Sequence, residues 1–198
     1  MGGVNGAEAL QALYALQEKD LEIDRLRAEA ESLPEELVAL QGQVETLEER
    51  LTNLLERRAE LEREYNRHSL DIEDLSAKEK QAEEEQKRAQ SAREQTQYEN
   101  RIQQIKDRIR ELLELSTPIM EAMENLEAEI AQVEEELAAL RPRLQELLEA
   151  NRARVAELEA AIAAKVEERT AMAAAIPAQI LKEYAAIRRA RRGTGVAR

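Results

Sequence analysis

The chain contains no cysteine, no tryptophan and no phenylalanine, and its aromatic content is only 2%. Without cysteine there is no disulfide and no thiolate metal site within these residues. Without large rings, a chain of 198 residues lacks the usual filler of a three-dimensional core. No uninterrupted apolar run approaches the ~20 residues that span a membrane. The opening MGGVNGAEAL lacks the basic-then-apolar order of a signal peptide, so a cytoplasmic protein is expected. No glycine-rich phosphate loop and no nucleophile beside a base is found, and a narrow helical rod offers no concave site; no catalysis and no small-molecule substrate are expected.

What remains is 43% hydrophobic and 36% charged. The apolar residues are mostly Leu, Ala, Ile and Val, and the polar ones mostly Glu, Arg, Gln and Lys. These are strong helix formers. A 3-4 spacing runs from Leu37 through Leu40, Val44, Leu47, Leu51, Leu54, Arg58, Leu61, Tyr65, His68, Ile72 and Leu75, and continues through Glu79, Ala82, Gln86 and Ala89. Backwards it takes in Leu33, Ala30, Leu26, Ile23 and Leu16. A second seam runs from Tyr98 and Ile102 to Leu144 and Leu147, slips by four near Asn151, and resumes at Val155, Leu158, Ile162, Arg169 and Ile176. Seven-residue repeats of this kind keep one stripe facing a partner helix, and the inserted four is a stutter.

Gln90 to Gln97 carries no seam residue and no large apolar side chain, which makes it the place for the chain to reverse. The expected fold is all-α: a long antiparallel two-stranded coiled-coil hairpin with a short C-terminal helix at its base. Arm one spans about residues 7–90, the tip about 90–97, arm two about 98–175, and the last helix about 178–192, followed by a tail at 193–198. The register pairs Ala82 with Ile105, Leu61 with Leu126 and Leu47 with Leu140. Arms of ~80 residues make a rod of about 120 Å at the helical rise. The competing arrangement is one continuous helix through 90–97 that dimerises, so both a monomeric hairpin and a homodimer stay open. Pro34 faces the stutter near 151–155, which predicts a shared bend. Pro118 after Ser116-Thr117 predicts a helix restart, and Pro177 starts the last helix. That helix is expected to form a three-helix cluster with the N-terminal segment around Leu10, Leu13, Tyr14 and Leu16.

Three stretches together resemble a bacterial family in which a coiled-coil hairpin precedes a four-cysteine zinc ribbon. They are Leu13-Tyr14-Ala15-Leu16-Gln17-Glu18-Lys19-Asp20 with Ile23 and Leu26; Gln97-Tyr98-Glu99 with Ile105, Leu115, Ile119, Met120 and Glu121; and Ile176-Pro177 with Tyr184 and Ile187-Arg188-Arg189-Ala190-Arg191-Arg192-Gly193. The last is the most specific. Gln97 and Ser116-Thr117-Pro118 depart from the family's acidic residues, and the chain stops at Arg198 without a ribbon. No cofactor is therefore expected in this chain; zinc would enter only with a ribbon beyond Arg198. The resemblance implies an adaptor that binds a protein partner or nucleic acid, with ties to transcription and to flagellar or secretion-related regulation.

Two basic clusters are the candidate sites. Residues 182–198 hold six basic residues against the single acid Glu183, a local +5 within a total of −13, so residues 1–181 carry −18. Lys182, Arg188, Arg189, Arg191 and Arg192 are the candidate nucleic-acid contacts, against the bland reading that cations suit a helix C-terminus. At the tip, Lys87, Arg88, Arg93 and Arg101 outnumber Glu94 and Glu99 and are the candidate partner-binding residues, against a merely solvated turn. A tip with only Glu94 lacks the acidic pair of metal-holding factors that enter RNA polymerase. The runs Glu83-Glu84-Glu85 and Glu134-Glu135-Glu136 point in different directions and read as wet faces. His68 and Arg58 on the seam read as register devices, with the Arg58 stem alternatively covering the seam. A structural spacer is the third reading, beside the adaptor and the nucleic-acid module.

Overall fold

The computed structural model describes residues 6–191. It contains four helices: α1 (Gly6–Glu31), α2 (Glu35–Lys87), α3 (Ala92–Ala174) and α4 (Ala178–Ala190). Among the described residues there are no strands, and no helix is long and apolar enough to cross a membrane. The all-α coiled-coil hairpin is thus present, and the reversal excludes a continuous helix through the turn.

The chain divides into two compact units, residues 42–141 and residues 1–41 with 142–198. In the first, α2 and α3 pair antiparallel along the two seams. Val44, Leu61 and Ala82 are buried against a stripe that includes Ile105, Leu112, Ile119, Val133 and Leu137. No seam residue of this unit is fully exposed. Ion pairs bridge the helices at Lys106–Glu79 (3.9 Å), Arg58–Glu127 (2.9 Å) and Arg141–Glu48 (3.3 Å). Each partner stands two positions from the residue that the predicted register puts opposite, which is within reach of a long side chain. Arg58 is half-buried and its guanidinium reaches Glu127, so its stem covers the seam while its head pairs across it. His68 is half-buried on the same seam.

The predicted helix restart at Pro118 does not occur, because α3 runs through both Pro118 and Pro142. A mid-helix proline donates no hydrogen bond and orphans the carbonyl four residues earlier. Here Pro118 and Glu114, like Pro142 and Ala138, lie on the exposed face, where water takes the freed carbonyl. Ser116, buried on the seam, donates to the Leu112 carbonyl at 2.7 Å, and Thr117 to that of Leu113 at 3.1 Å.

The second unit combines α1, the start of α2, the end of α3, and α4. The first arm breaks at residues 32–34, while α3 continues unbroken opposite. Leu33 sits in this break and is 52% exposed, so it leaves the seam it was assigned to. Arg154, in the stutter, closes the broken end. Its guanidinium donates to the carbonyls of Glu29 (2.8 Å) and Ser32 (2.6 Å), orphaned by the end of α1, and is held by Asn151 Oδ1 at 2.9 Å. The slip of four thereby turns a polar side chain inward where the helix opposite needs a cap. Leu13 and Leu16 pack with Ala173, Ile176 and Tyr184 in a small core, flanked by Ile180 and Leu181. This is the three-helix cluster expected from the sequence, but it buries only Leu13 and Leu16 of the four N-terminal residues assigned to it: Leu10 and Tyr14 lie on the outer side of α1 and are exposed.

Candidate functional site

The reversal is shorter than the expected tip. The chain turns at residues 88–91, and residues 92–97, assigned above to the tip, form the first turns of α3. The reason lies in Ser91-Ala92-Arg93-Glu94. The Glu94 N–H donates to Ser91 Oγ at 3.2 Å, and the Glu94 carboxylate accepts from the Gln90 N–H at 3.2 Å. This is the reciprocal arrangement of a capping box, with the carboxylate reaching one residue further back. It starts a helix without glycine or proline. On the other side, the N–H groups of Arg88 and Ala89 donate to the Glu85 and Gln86 carbonyls, both at 3.1 Å, tightening the end of α2. Lys87, Arg88, Arg93 and Arg101 are all exposed. None of the four forms an ion pair among the described residues, whereas Arg58, Lys106 and Arg141 further along the same unit do.

The C-terminal cluster is divided differently. Lys182, Arg189 and Arg191 are exposed. Arg192 lies outside the described residues, as does the 193–198 tail. Arg188 faces inward: it pairs with Asp24, reaches Asp20 Oδ2 at 3.7 Å, and keeps only 27% of its side-chain exposure. Its guanidinium belongs to a polar network centred on Asp20, a carboxylate only 5% exposed. Tyr184 donates its hydroxyl to Asp20 Oδ2 at 2.7 Å, and Arg169 Nε donates to Oδ1 at 2.9 Å. Burial, together with the hydrogen bond and charge of Asp20, pushes the Tyr184 phenol well above its usual range. Lys19 and Lys165, both half-buried, add bridges to Glu168 (2.7 Å) and Glu22 (2.9 Å).

Asp20 was quoted above only as part of a family-like motif. The structure shows what joins that motif to the C-terminal one: Gln17 and Asp20 on α1 are buried, and Tyr184 and Arg188 on α4 both reach the Asp20 carboxylate. The signal available in the sequence was a polar pair within an apolar helix face, spaced to stack on Leu13 and Leu16.

No group of three or more His, Asp or Glu side chains among the described residues is placed to hold a metal ion. The acidic runs contribute none, since successive positions diverge around the helix.

Solved structures share this fold. CT398 from Chlamydia trachomatis has a TM-score of 0.84 at 15% identity, covering 95% of this chain and 80% of its own. A Mycobacterium smegmatis protein has a TM-score of 0.72 at 24% identity, covering 94% of this chain and 78% of its own. HP0958 from Helicobacter pylori has a TM-score of 0.68 at 17% identity, covering 91% and 76%. No curated protein matches the sequence. The family whose pattern the sequence does match, over residues 16–192, is that of the CT398-like coiled coil hairpin domain, and the chain belongs to it.

Proposed function

We propose that the protein is a non-enzymatic adaptor that docks the turn at residues 88–91 against an acidic surface of a protein partner, in the cytoplasm and in a transcription, flagellar or secretion-related setting. The coiled-coil hairpin fold fits an interaction or structural module. The observation that carries the finer reading is the placement of free cations. Lys87, Arg88, Arg93 and Arg101 cluster, exposed and without ion pairs among the described residues, around a turn fixed by its own capping box. Unpaired charges on a rigid support give on-rate and specificity toward a complementary surface.

The absence of cysteine allows a direct test. A single cysteine placed at Gln90 carries a photo-crosslinker in the otherwise native chain. The expected outcome is a defined set of cross-linked proteins that disappears when Lys87, Arg88, Arg93 and Arg101 are changed to Glu. Unchanged cross-links in the charge-reversed variant would sink the proposal.

The second reading, nucleic-acid binding, is favoured by the exposure of Lys182, Arg189 and Arg191. It predicts RNA or DNA binding that weakens steeply with salt, and a shallower salt slope in Lys182→Glu, Arg189→Glu and Arg191→Glu. Arg188 is left out of this set because its guanidinium is held by Asp20 and Asp24. A spacer role predicts no change in either assay.

A further inference from the structure

On the shaft of the first unit, α3 carries a second heptad stripe outside its seam. Leu113 and Met120, one heptad apart, are 53% and 48% exposed on one edge of the helix, with exposed Thr117 between them. At the same three- and four-residue steps the stripe continues to Arg110 and Lys106 in one direction and to Glu124 and Glu127 in the other, all exposed. Read along the helix, it is basic, then apolar, then acidic. The order inverts about Ser116-Thr117, so a surface built this way complements a copy of itself turned end for end. Leu113 then meets Met120, Arg110 meets Glu124 and Lys106 meets Glu127, each pair occurring twice about a two-fold axis. Lys106 and Glu127 are already bridged within the hairpin to Glu79 and Arg58. Arg110, by contrast, pairs only with Asp107 on its own helix, at 3.6 Å, and Glu124 forms no ion pair among the described residues. Beside the stripe, Tyr65, Met120, Met123, Glu124 and Glu127 line an open groove of about 220 Å³. By the register that pairs Leu61 with Leu126, Ser69 and Ser76 of α2 stand at the same level, both short and exposed.

We infer that this edge of the shaft is the contact surface for a second copy of the chain, in an antiparallel dimer of hairpins. Leu113 of each copy enters the groove beside Tyr65 and Met120 of the other, where the unbranched methionine side chains adapt to it. The charges on either side set the orientation, since a parallel pairing would place Arg110 against Arg110 and Glu124 against Glu124. A two-helix face about 32 Å long and roughly 20 Å wide offers about 600 Å² per copy, at the lower end of specific interfaces, which suits a reversible dimer. In this arrangement the two turns at residues 88–91 point away from each other, so the surface used is separate from the tip.

The test is sedimentation equilibrium of the full chain from about 1 to 300 μM, a range that brackets a micromolar dimer. A reversible monomer–dimer equilibrium is expected. Arg110→Glu and Glu124→Arg should each weaken it roughly tenfold, because each turns two attractions across the axis into two repulsions. The double variant, with the charges exchanged, should dimerise like the parent chain. An equal mixture of the two single variants should form a heterodimer tighter than either homodimer. Leu113→Glu, at the centre of the contact, should weaken the dimer as well. All three positions are exposed, so helix content by circular dichroism should be the same in every variant. A chain that stays monomeric throughout the range would overturn the inference. So would a dimer indifferent to the single charge reversals, or a double variant no tighter than the single ones.

Discussion

Replacing Asp20 with Ala should loosen α4 more than any other single polar change in the second unit. Asp20 is 5% exposed and Tyr184 is 2% exposed. Removing the carboxylate leaves the Tyr184 hydroxyl, now bonded at 2.7 Å, as a buried donor without an acceptor, which costs about 1–3 kcal/mol. Arg169 and Arg188 keep 31% and 27% side-chain exposure, so water replaces part of what they lose, and about 1 kcal/mol more is expected from them. The sum, ~2–4 kcal/mol, acts on the docking of a 13-residue helix with one fully buried side chain. At ~1.4 kcal/mol per factor of ten, α4 amides should exchange with solvent roughly 30- to 1000-fold faster. Hydrogen exchange with mass spectrometry reads this directly on peptides from residues 178–190. Tyr184→Phe alone should cost about 1 kcal/mol, and the double variant should be less unstable than the two single changes added together, since it removes donor and acceptor at once. Exchange in α4 within about threefold of the parent in Asp20→Ala would refute the reasoning, as would strict additivity in the cycle.

Arg154→Ala should cost about 1–2 kcal/mol in local stability, seen as faster exchange confined to the last turn of α1, because it removes the donor to two orphaned carbonyls. Pro118→Ala should stabilise the first unit by about 1–3 kcal/mol in urea unfolding, since alanine restores the bond to the Glu114 carbonyl and the helix is already formed there; a destabilised variant would mean that the proline ring packs usefully. The bridges of Lys19 and Lys165 hold the Glu168 and Glu22 carboxyls below the usual value of 4.5, the hydrogen bond being the larger cause and the charge the next. Their contribution is therefore present at neutral pH and lost as pH falls through those depressed values. Carboxyl NMR should show both midpoints below 4.5, and Lys19→Ala should return Glu168 toward it.

The helices and their pairing were written in the sequence. Seam residues recur every three or four positions, each arm reads as one stripe, and a stripe that narrow can only be hidden against another like it. The register followed from reversing the chain near residue 90. The turn was located only approximately, because absence of seam residues marks a region while the capping interaction of Ser91 and Glu94 fixes a residue. Pro118 misled for a related reason: the proline signal is local, and whether it ends a helix depends on which face it occupies, which packing decides. The basic C-terminal cluster was legible as composition alone. Only the tertiary structure divided it, drawing Arg188 under α4 toward Asp20, 168 residues away in the chain, and leaving Lys182, Arg189 and Arg191 outside. Charge counts cannot make that division, since whether a cation is free depends on a partner that only the closing of α4 over α1 brings within reach.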